Sequence, residues 1–369
     1  MSKMNFDWLN VRLRAMKSYL LKKDQYETLL QQPSVDHVAT VLSRTRYNQN
    51  IKLTYLNTQP AKTLNQAIVF YFRNQIEIIK HIVSQPYSDC ISWLLRYWDV
   101  FNIKIAIRTL NSSIPLKERR NFLTACNHCL PIGDLNASDL LDLFTTTNLE
   151  GLIKLLCAKK STFCNILTQI NEINLENKEW HTENLLNKFY YSKIIDLLKT
   201  FNDRSIFNLT RRNAFLKLVQ EEIDHENIKI ALRWIRTYRF EPSSVIVYPP
   251  REIFIPGGEK FDIRRISGYL ENGDFEKISE ILGRSPFSKI SISEVYKEIG
   301  IQELDYETKL EREFIRYQMK KKYDFSMKLN VLISYYYSLI AELRNLEIII
   351  YGIHGRINPQ LLARRIIYA

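Results

Sequence analysis

Apolar residues recur at helical spacing along most of the chain, and one such pattern occurs three times. In each copy, four apolar residues fall at positions i, i+3, i+4 and i+7, which lie on one face of an α-helix. They are Ile103, Ala106, Ile107 and Leu110 in the first copy, Ile228, Ala231, Leu232 and Ile235 in the second, and Leu346, Ile349, Ile350 and Ile353 in the third. The pattern predicts three amphipathic helices that bury equivalent faces.

The three predicted helices also share their sequence. Asn102–Arg108 reads Asn-Ile-Lys-Ile-Ala-Ile-Arg, and Asn227–Arg233 reads Asn-Ile-Lys-Ile-Ala-Leu-Arg. A weaker copy, Asn-Leu-Glu-Ile-Ile-Ile-Tyr, begins at Asn345. Two turn regions repeat at a matching offset, because Leu130–Asp134 resembles Ile255–Glu259. The chain is therefore interpreted as three sequence repeats of one unit.

The repeat period sets the predicted domain organisation. It is about 120 residues, far longer than one helical pair of an ordinary solenoid, so each copy should be a small domain. Glycines and prolines occur near the places where copies meet, as at Pro115 and Pro249-Pro250. Strand signals are thin, and the β-branched stretch Val245–Tyr248 lies in a proline-rich joint. We predict an all-α chain with repeats at 1–128, 129–250 and 251–369.

An acidic residue precedes the asparagine of each copy by three positions, which places both side chains on one helix face. The full repeat motif comprises Asp99, Asn102, Ile103 and Arg108, then Asp224, Asn227, Ile228 and Arg233, then Glu342, Asn345 and Leu346. One interpretation is a polar site used three times. The other, which we favour, is a buried and fully hydrogen-bonded latch that fixes helix packing, because no nucleophile recurs beside these residues.

Composition is that of a soluble globular protein, with 46% hydrophobic and 25% charged residues in 369. No apolar run reaches the roughly 18 residues of a membrane span. Charged residues near the start, such as Lys3 and Asp7, argue against a secretion signal. Five cysteines, an odd number without a dense pattern, favour a reducing cytosol.

The formal charge of +12 favours acidic partners: nucleic acid, anionic lipid headgroups or an acidic protein. The excess is scattered rather than concentrated in one patch. Short clusters occur at Arg119-Arg120, Arg211-Arg212, Lys320–Lys322 and Arg364-Arg365. Each cluster by itself is best interpreted as a solvated helix face.

Sequence motifs for catalysis are absent. The chain has no P-loop, no Gly-x-Gly-x-x-Gly, no His-Glu-x-x-His and no Gly-x-Ser-x-Gly. Cys126-Asn127-His128-Cys129 is the sharpest metal candidate, with Cys157 and Cys164 as further ligands. Their wide spacing favours ordinary thiols at a helix end, and His354 is better interpreted as a loop residue. We expect no catalytic, cofactor or metal residue.

The residues that carry the triplication resemble the C-subunit family of V-type ATPases and ATP synthases, whose eukaryotic counterpart is the d subunit. The likeness runs over essentially the whole chain. Each motif is short, so the combination of motifs and their order along the chain carry more weight than any one of them. It rests on the opening Val11–Met16 helix, the Asp99–Lys104 and Asp224–Lys229 helices, the Pro256–Gly258 turn, and the Glu342–Leu346 helix followed by Gly352 and Gly355.

The resemblance implies a non-catalytic rotor subunit, without cofactor or metal. It implies three similar helical domains around a pseudo-threefold axis, shaped as a funnel on the cytoplasmic face of a membrane proteolipid ring. The base of the central stalk would enter the funnel, so that torque passes between ring and stalk during proton or sodium transport. Implied partners are central-stalk subunits and the proteolipid ring. The charge of +12 adds anionic lipid headgroups as a further partner, and no nucleic acid is expected.

Two other classes remain open from the residues alone. A helical nucleic-acid-binding scaffold would account for the charge and the 21 tyrosines, and its binding would weaken with salt. A zinc enzyme built on the cysteines would carry stoichiometric metal. The aromatic content of 12% is explained more simply by core packing.

Overall fold

A computed structural model of the chain describes residues 6–84, 87–112, 114–115, 118–119, 129–172, 178–200, 209–240, 249–283, 303–321 and 329–368. Within these ranges the elements are α-helices, and no β-strand is present, which confirms the all-α prediction. The β-branched stretch Val245–Tyr248 lies outside the described residues.

The helices follow one another in the order of the chain. They are α1 (Phe6–Ser18), α2 (Lys23–Leu30), α3 (Val35–Leu42), α4 (Asn48–Thr54), α5 (Pro60–Ile82), α6 (Tyr87–Leu95), α7 (Tyr97–Asn111), α8 (Ala137–Phe144), α9 (Leu149–Ala158), α10 (Cys164–Glu172), α11 (Lys178–Thr200), α12 (Leu209–Phe240), α13 (Pro250–Ile253), α14 (Ile263–Glu271), α15 (Phe275–Gly283), α16 (Glu303–Lys320), α17 (Asn330–His354) and α18 (Pro359–Ala363).

The predicted apolar faces are buried at three of their four positions in each copy, whereas Leu110, Leu232 and Ile353 are partly exposed. The three helices that carry the repeated motif are α7, α12 and α17, and we call them the motif helices. Residues of these helices that are almost fully shielded from solvent include Ile103, Ala106 and Ile107, then Ile228, Ala231 and Ile235, then Leu346, Ile349 and Ile350. Burial of a shared face is the expected driving force for docking an amphipathic helix.

The chain forms two compact units. The first comprises Met1–Leu155 together with Gln318–Ala369, and the second comprises Leu156–Tyr317. The first unit thus joins segments from opposite ends of the sequence. The predicted repeat boundaries, 1–128, 129–250 and 251–369, and their funnel-like arrangement stay predictions.

In the first unit, α17 is buried along most of its length and packs against α1 and α5. It contains Val331–Ala341, the longest near-continuous apolar run of the sequence, and other helices cover this run. Ser334, a polar residue inside this run, is hydrogen-bonded to neighbouring segments. Its hydroxyl donates to the Met319 carbonyl at 2.6 Å and accepts from Lys17 Nζ at 2.7 Å. No helix among the described residues is both long and apolar enough to cross a membrane.

In the second unit, α11 packs against α10 and α12, and α14 packs against α13 and α15. Aromatic residues pack within the group formed by α13, α14 and α15, where the ring centroids of Phe254 and Phe261 lie 4.9 Å apart. The hairpin turn between α14 and α15 contains Gly273 at φ +71°, a left-handed conformation that glycine adopts without a steric penalty.

Three helical hairpins share one spacing. They are α2–α3, α8–α9 and α14–α15, and in each the second helix begins twelve residues after the first. Side chains cap several of these helices: Ser34 for α3, Asn136 for α8 and Asp262 for α14. Helix α8 starts at Ala137, directly after its capping residue Asn136.

Candidate functional site

The three acidic–asparagine pairs lie in the cores of their units. Each acid and each asparagine is at most 2% exposed, so all six side chains are removed from bulk water. They are Asp99 and Asn102 on α7, Asp224 and Asn227 on α12, and Glu342 and Asn345 on α17. A buried polar group is costly unless it is hydrogen-bonded, so the partners of each pair decide its role.

The second and third asparagines each bind both backbone groups of one distant residue. The Asn227 amide donates to the Ile255 carbonyl and accepts from the Ile255 N–H, both at 2.8 Å. Asn345 makes the same two bonds with Ile367, again at 2.8 Å. Such a two-bond clamp fixes a loop on a helix without any ionised group, because a carboxamide offers one donor and one acceptor side by side.

The first asparagine makes half of this clamp. The Asn102 amide donates to the Leu130 carbonyl at 2.9 Å, and the two residues are 28 positions apart, as are Asn227 and Ile255. The Asn102 Oδ1 atom, however, is buried without a hydrogen-bond partner. The adjacent turns differ, because Gly257 adopts φ +107° whereas the corresponding Ile132 is outside the left-handed region. A side chain at this position restricts the backbone, so the first turn has another shape.

The aspartates bind the backbone at the start of the hairpin that follows each motif helix. Asp99 accepts from the N–H groups of Asp134 at 2.8 Å and Leu135 at 3.2 Å. These two donors immediately precede α8. The aspartate thereby ties α7 to the α8–α9 hairpin.

Asp224 makes the equivalent contact in the second unit with one additional bond. It accepts from the N–H groups of Glu259 at 3.2 Å, Lys260 at 2.8 Å and Phe261 at 3.1 Å, which immediately precede α14. Three N–H groups directed at one carboxylate form a fully hydrogen-bonded anion site inside the protein.

Burial dominates the electrostatics of both aspartates. It raises the pKa of Asp99 to about 6, although the N–H groups of Asp134 and Leu135 act in the opposite direction. The pKa of Asp224 is raised for the same reason, and its N–H donors again oppose the shift. Desolvation favours the neutral acid and hydrogen bonds favour the carboxylate, and here desolvation is the larger effect.

The third acid has different partners. Glu342 accepts from the Leu21 N–H, from Arg46 Nη2 and from the Tyr47 hydroxyl, each at 2.6 Å. The ion pair with Arg46 is shielded, since the side chains are 15% and 3% exposed. Burial, reinforced by the negative charge of Glu342, holds the pKa of Tyr47 well above its ordinary value, so Tyr47 donates as a neutral phenol.

The remaining motif residues divide between core and surface. Ile103, Ile228 and Leu346 are buried among the packed helices. Arg108 is exposed, and Arg233 forms an exposed bidentate ion pair with Glu307 at 2.6 and 2.5 Å. The third copy has Tyr351 at the corresponding position. The arginines therefore do not take part in the buried contacts of their motifs.

The cysteines are not arranged as a metal site in the described part of the chain. Cys157 and Cys164 form a disulfide across the corner between α9 and α10, whereas the sequence favoured ordinary thiols there. That corner brings their Cα atoms to 4.9 Å, a proximity that spacing alone did not predict. Cys129 keeps its thiol, and Cys126–His128 lie outside the described residues. Across the described ranges, no group of three or more His, Cys, Asp or Glu residues could hold a metal ion.

Sequence reasoning did not identify the partners of the acids. The sequence showed that the turns at Gly133 and Gly258 are similar but not why each contains a glycine. The structure gives the reason, because a side chain at either position would collide with an aspartate. A Cβ on Gly133 would lie 2.3 Å from the Asp99 carboxylate, and one on Gly258 would lie 2.0 Å from Asp224 Oδ1. Nor did sequence reasoning find the contacts of Leu21, Arg46 and Tyr47. One signal was available, because Leu21, Leu135 and Phe261 each stand two residues before a hairpin.

Comparison with known proteins gives one consistent result. A model of the family described as "ATP synthase (C/AC39) subunit" matches residues 9–365. The chain is 22% identical over 372 residues to the C subunit of the A-type ATP synthase of Methanococcoides burtonii, covering 99% of this chain and 95% of the relative. It is 22% identical to that of Pyrococcus abyssi, covering 96% and 88%, and 21% identical to that of Haloferax volcanii, covering 98% and 97%.

Proposed function

Since this chain belongs to the ATP synthase (C/AC39) subunit family and is thus a non-catalytic subunit of a rotary ATP synthase complex, we propose that it is the rotor socket. In this role it joins the central stalk to the membrane proteolipid ring and transmits torque between them. The observation that carries the proposal is the family match over residues 9–365 of 369. The rotation serves proton or sodium transport coupled to ATP synthesis or hydrolysis elsewhere in the complex.

The proposed architecture is three similar helical domains, at 1–128, 129–250 and 251–369, in a funnel around a pseudo-threefold axis. The repeated motif helices and the equal spacing of the three hairpins support it. Close-packed helices suit a torque coupler, because a protein interior at crystal-like density resists deformation.

The motif residues have a structural role in this proposal. All six polar residues are buried latches. Asp99, Asp224 and Glu342 fasten each motif helix to the start of a hairpin. Asn102, Asn227 and Asn345 fasten the same helices to Leu130, Ile255 and Ile367. Asp99→Ala and Asp224→Ala should then lower the melting temperature and impair assembly only as a consequence. An unchanged melting temperature with lost assembly would instead assign these residues to a partner contact.

The net charge of +12 faces the partners: acidic stalk surface, ring loops or anionic headgroups on the cytoplasmic side of the membrane. Association of the purified chain with ring or stalk proteins should therefore weaken as salt is raised through the physiological range. Association that is independent of salt would contradict this part of the proposal.

The decisive experiment is recovery of the tagged chain from its own detergent-solubilised membranes, with identification of co-purifying proteins by mass spectrometry. The proposal requires proteolipid, central-stalk and catalytic ATPase subunits in the same preparation. The untagged chain, taken through the same purification, is the control for proteins that adhere non-specifically. Recovery of none of these subunits, but of nucleic acid removable by nuclease, would overturn the proposal.

A further inference from the structure

Helix α1 has two apolar faces, which lie on opposite sides of it. Successive residues of an α-helix are rotated by about 100°, so Leu9 and Leu13 share one side. Both residues are fully buried in the first unit, where α1 packs against α17. A helix that only covered this core would be polar on its opposite side.

The opposite side of α1 is apolar as well, although it is exposed. Trp8, Val11, Ala15 and Tyr19 fall at positions i, i+3, i+7 and i+11, which lie within one narrow arc. Trp8, Val11 and Tyr19 are 49%, 69% and 70% exposed, and Ala15 is also exposed. Tyr19 directly follows the helix, and its N–H donates to the Met16 carbonyl at 3.3 Å, which continues the turn. We call Trp8, Val11, Ala15 and Tyr19 the outer face.

Two arginines border the outer face. At about 100° per residue, Arg12 lies at the edge next to Trp8 and Arg14 lies beyond the edge formed by Val11. Both arginines are exposed, and the Arg12 guanidinium lies 5.3 Å from the centroid of the Trp8 ring. The apolar arc is therefore placed between two cations.

Positive charge is concentrated in this part of the chain. Residues 6–22, which form α1 and the linker to α2, contain four basic residues and one acidic residue, a net charge of +3. The whole chain carries +12 over 369 residues, so the excess is several times denser around α1. The outer face thus combines exposed apolar area with a local field that attracts anions.

This combination fits a bilayer surface with anionic headgroups. Tryptophan and tyrosine are enriched where membranes meet water, because each side chain has an apolar body and a polar group. Arginines on both borders can reach the lipid phosphates while the apolar arc enters the headgroup layer. An acidic protein surface would complement the arginines but would set the apolar arc against carboxylates, which is unfavourable.

We propose that the outer face of α1 binds a membrane surface with anionic headgroups, with the helix axis parallel to the membrane plane. Leu9 and Leu13 hold the other side of α1 in the core, so the helix binds without leaving the fold. The proposal identifies a lipid contact for the proposed function, and it rests on that function for the presence of a membrane beside the chain.

Co-sedimentation of the purified full-length chain with lipid vesicles tests the outer face. One set of vesicles contains phosphatidylcholine alone, and the other contains equal amounts of phosphatidylcholine and phosphatidylglycerol. The wild type should partition onto the anionic vesicles about tenfold more strongly, because the basic residues around α1 are attracted to their surface. Raising the salt concentration should reduce this difference.

The double variant Val11→Asp, Tyr19→Asp is the test variant, because it places two carboxylates on the outer face and leaves the buried side of α1 unchanged. The double variant Leu53→Asp, Leu56→Asp is the matched control. These leucines are 70% and 61% exposed near the end of α4, and the change in net charge is the same. The test variant should bind anionic vesicles about tenfold more weakly than the wild type, and the control should stay within about twofold of it.

The melting temperature of each variant shows whether it is folded, and it should be close to that of the wild type because the substituted side chains are exposed. The double variant Arg12→Gln, Arg14→Gln decides the proposal if the test variant does not fold. It should lower binding to the anionic vesicles towards the level seen with phosphatidylcholine alone.

Three results would overturn the proposal: no binding of the wild type to anionic vesicles, equal losses in the test and control variants, or binding of the outer face to purified proteolipid ring without binding to vesicles. The last result would assign the outer face to a protein partner. A failed co-purification with intact vesicle binding would contradict the rotor assignment alone. Successful co-purification without vesicle binding would contradict the lipid contact alone.

Discussion

The Asp224 carboxylate occupies the space that a side chain would need at Gly258: a Cβ built on this glycine would lie 2.0 Å from Asp224 Oδ1. Contacts between unbonded atoms at such a distance do not occur, so residue 258 has to be glycine for the aspartate to reach its three N–H donors. The Pro256–Gly258 turn thus has a specific physical reason that the sequence pattern did not reveal.

Gly258→Ala should lower the free energy of unfolding by about 2–4 kcal/mol, through overpacking and weakened hydrogen bonds to Asp224. Thermal or urea unfolding measures the effect. Gly268→Ala is the matched control, because a Cβ there meets nothing within 4 Å and the residue lies inside α14. The control should be neutral or stabilising, since alanine is the better helix former. Equal losses in both variants would contradict this account of Gly258.

The asparagine contacts predict which asparagine variant loses more stability. Asn227→Ala removes two hydrogen bonds and leaves both backbone groups of Ile255 buried without partners, at a cost of about 2–4 kcal/mol. Asn102→Ala removes one bond, to Leu130, and should cost about half as much. Urea unfolding of the two variants checks the order. A larger loss for Asn102→Ala would indicate that its Oδ1 atom binds something else.

The raised pKa of Asp99 predicts a pH dependence. Because the folded pKa of about 6 exceeds the ordinary value of 3.8, the folded state holds the proton more tightly between these values. Protonation at Asp99 therefore stabilises the fold at low pH, and the contribution is lost as pH rises through about 6. The stability of the wild type relative to Asp99→Asn should fall by about 1 kcal/mol between pH 5 and pH 7. A difference that stays constant over this range would contradict the shift.

The Arg233–Glu307 ion pair should contribute little despite its short distances, because the two side chains are 47% and 41% exposed. Arg233→Met is expected to cost about 0.5–1 kcal/mol, and high salt should reduce that cost further. Unfolding at two salt concentrations provides the measurement. A loss of several kcal/mol would mean that Arg233 has a buried role.

The disulfide between Cys157 and Cys164 closes a short loop across the α9–α10 corner. The double variant Cys157→Ser, Cys164→Ser should lose about 2 kcal/mol, because its unfolded state is less constrained. Melting with and without a thiol reductant tests this, and the double variant should not respond to reductant. Wild-type melting that is unaffected by full reduction would show that the bond adds no stability.

Much of the fold was predictable because its signals are local. The helical period at Ile103–Leu110 and its two copies identified buried faces correctly, since hydrophobic spacing depends on residues within one helix. The acid and asparagine of each copy were expected to share a face for the same reason, and they do. The disulfide was not expected, because its two thiols meet only after α9 and α10 have packed.

The hydrogen-bond partners of the three acids could not be predicted from local sequence patterns. Asp99 and Asp224 bind N–H groups that follow them in the chain. The repeated glycines at 133 and 258 were an indirect sequence signal of this contact, because each glycine makes room for the aspartate. Glu342 binds a residue 321 positions away, and two side-chain donors join it there. No sequence period connects positions at such a separation.

The sequence by itself determined the helical class, the threefold repetition and the family, because each depends on residue spacing and order along the chain. Only the tertiary structure decided which hairpin each acid binds, that Asn102 makes a single bond, and that Arg46 and Tyr47 converge on Glu342. These features depend on how the helices pack against one another. Burial then raises the cost of any polar group without a partner, so the packed fold selects one arrangement.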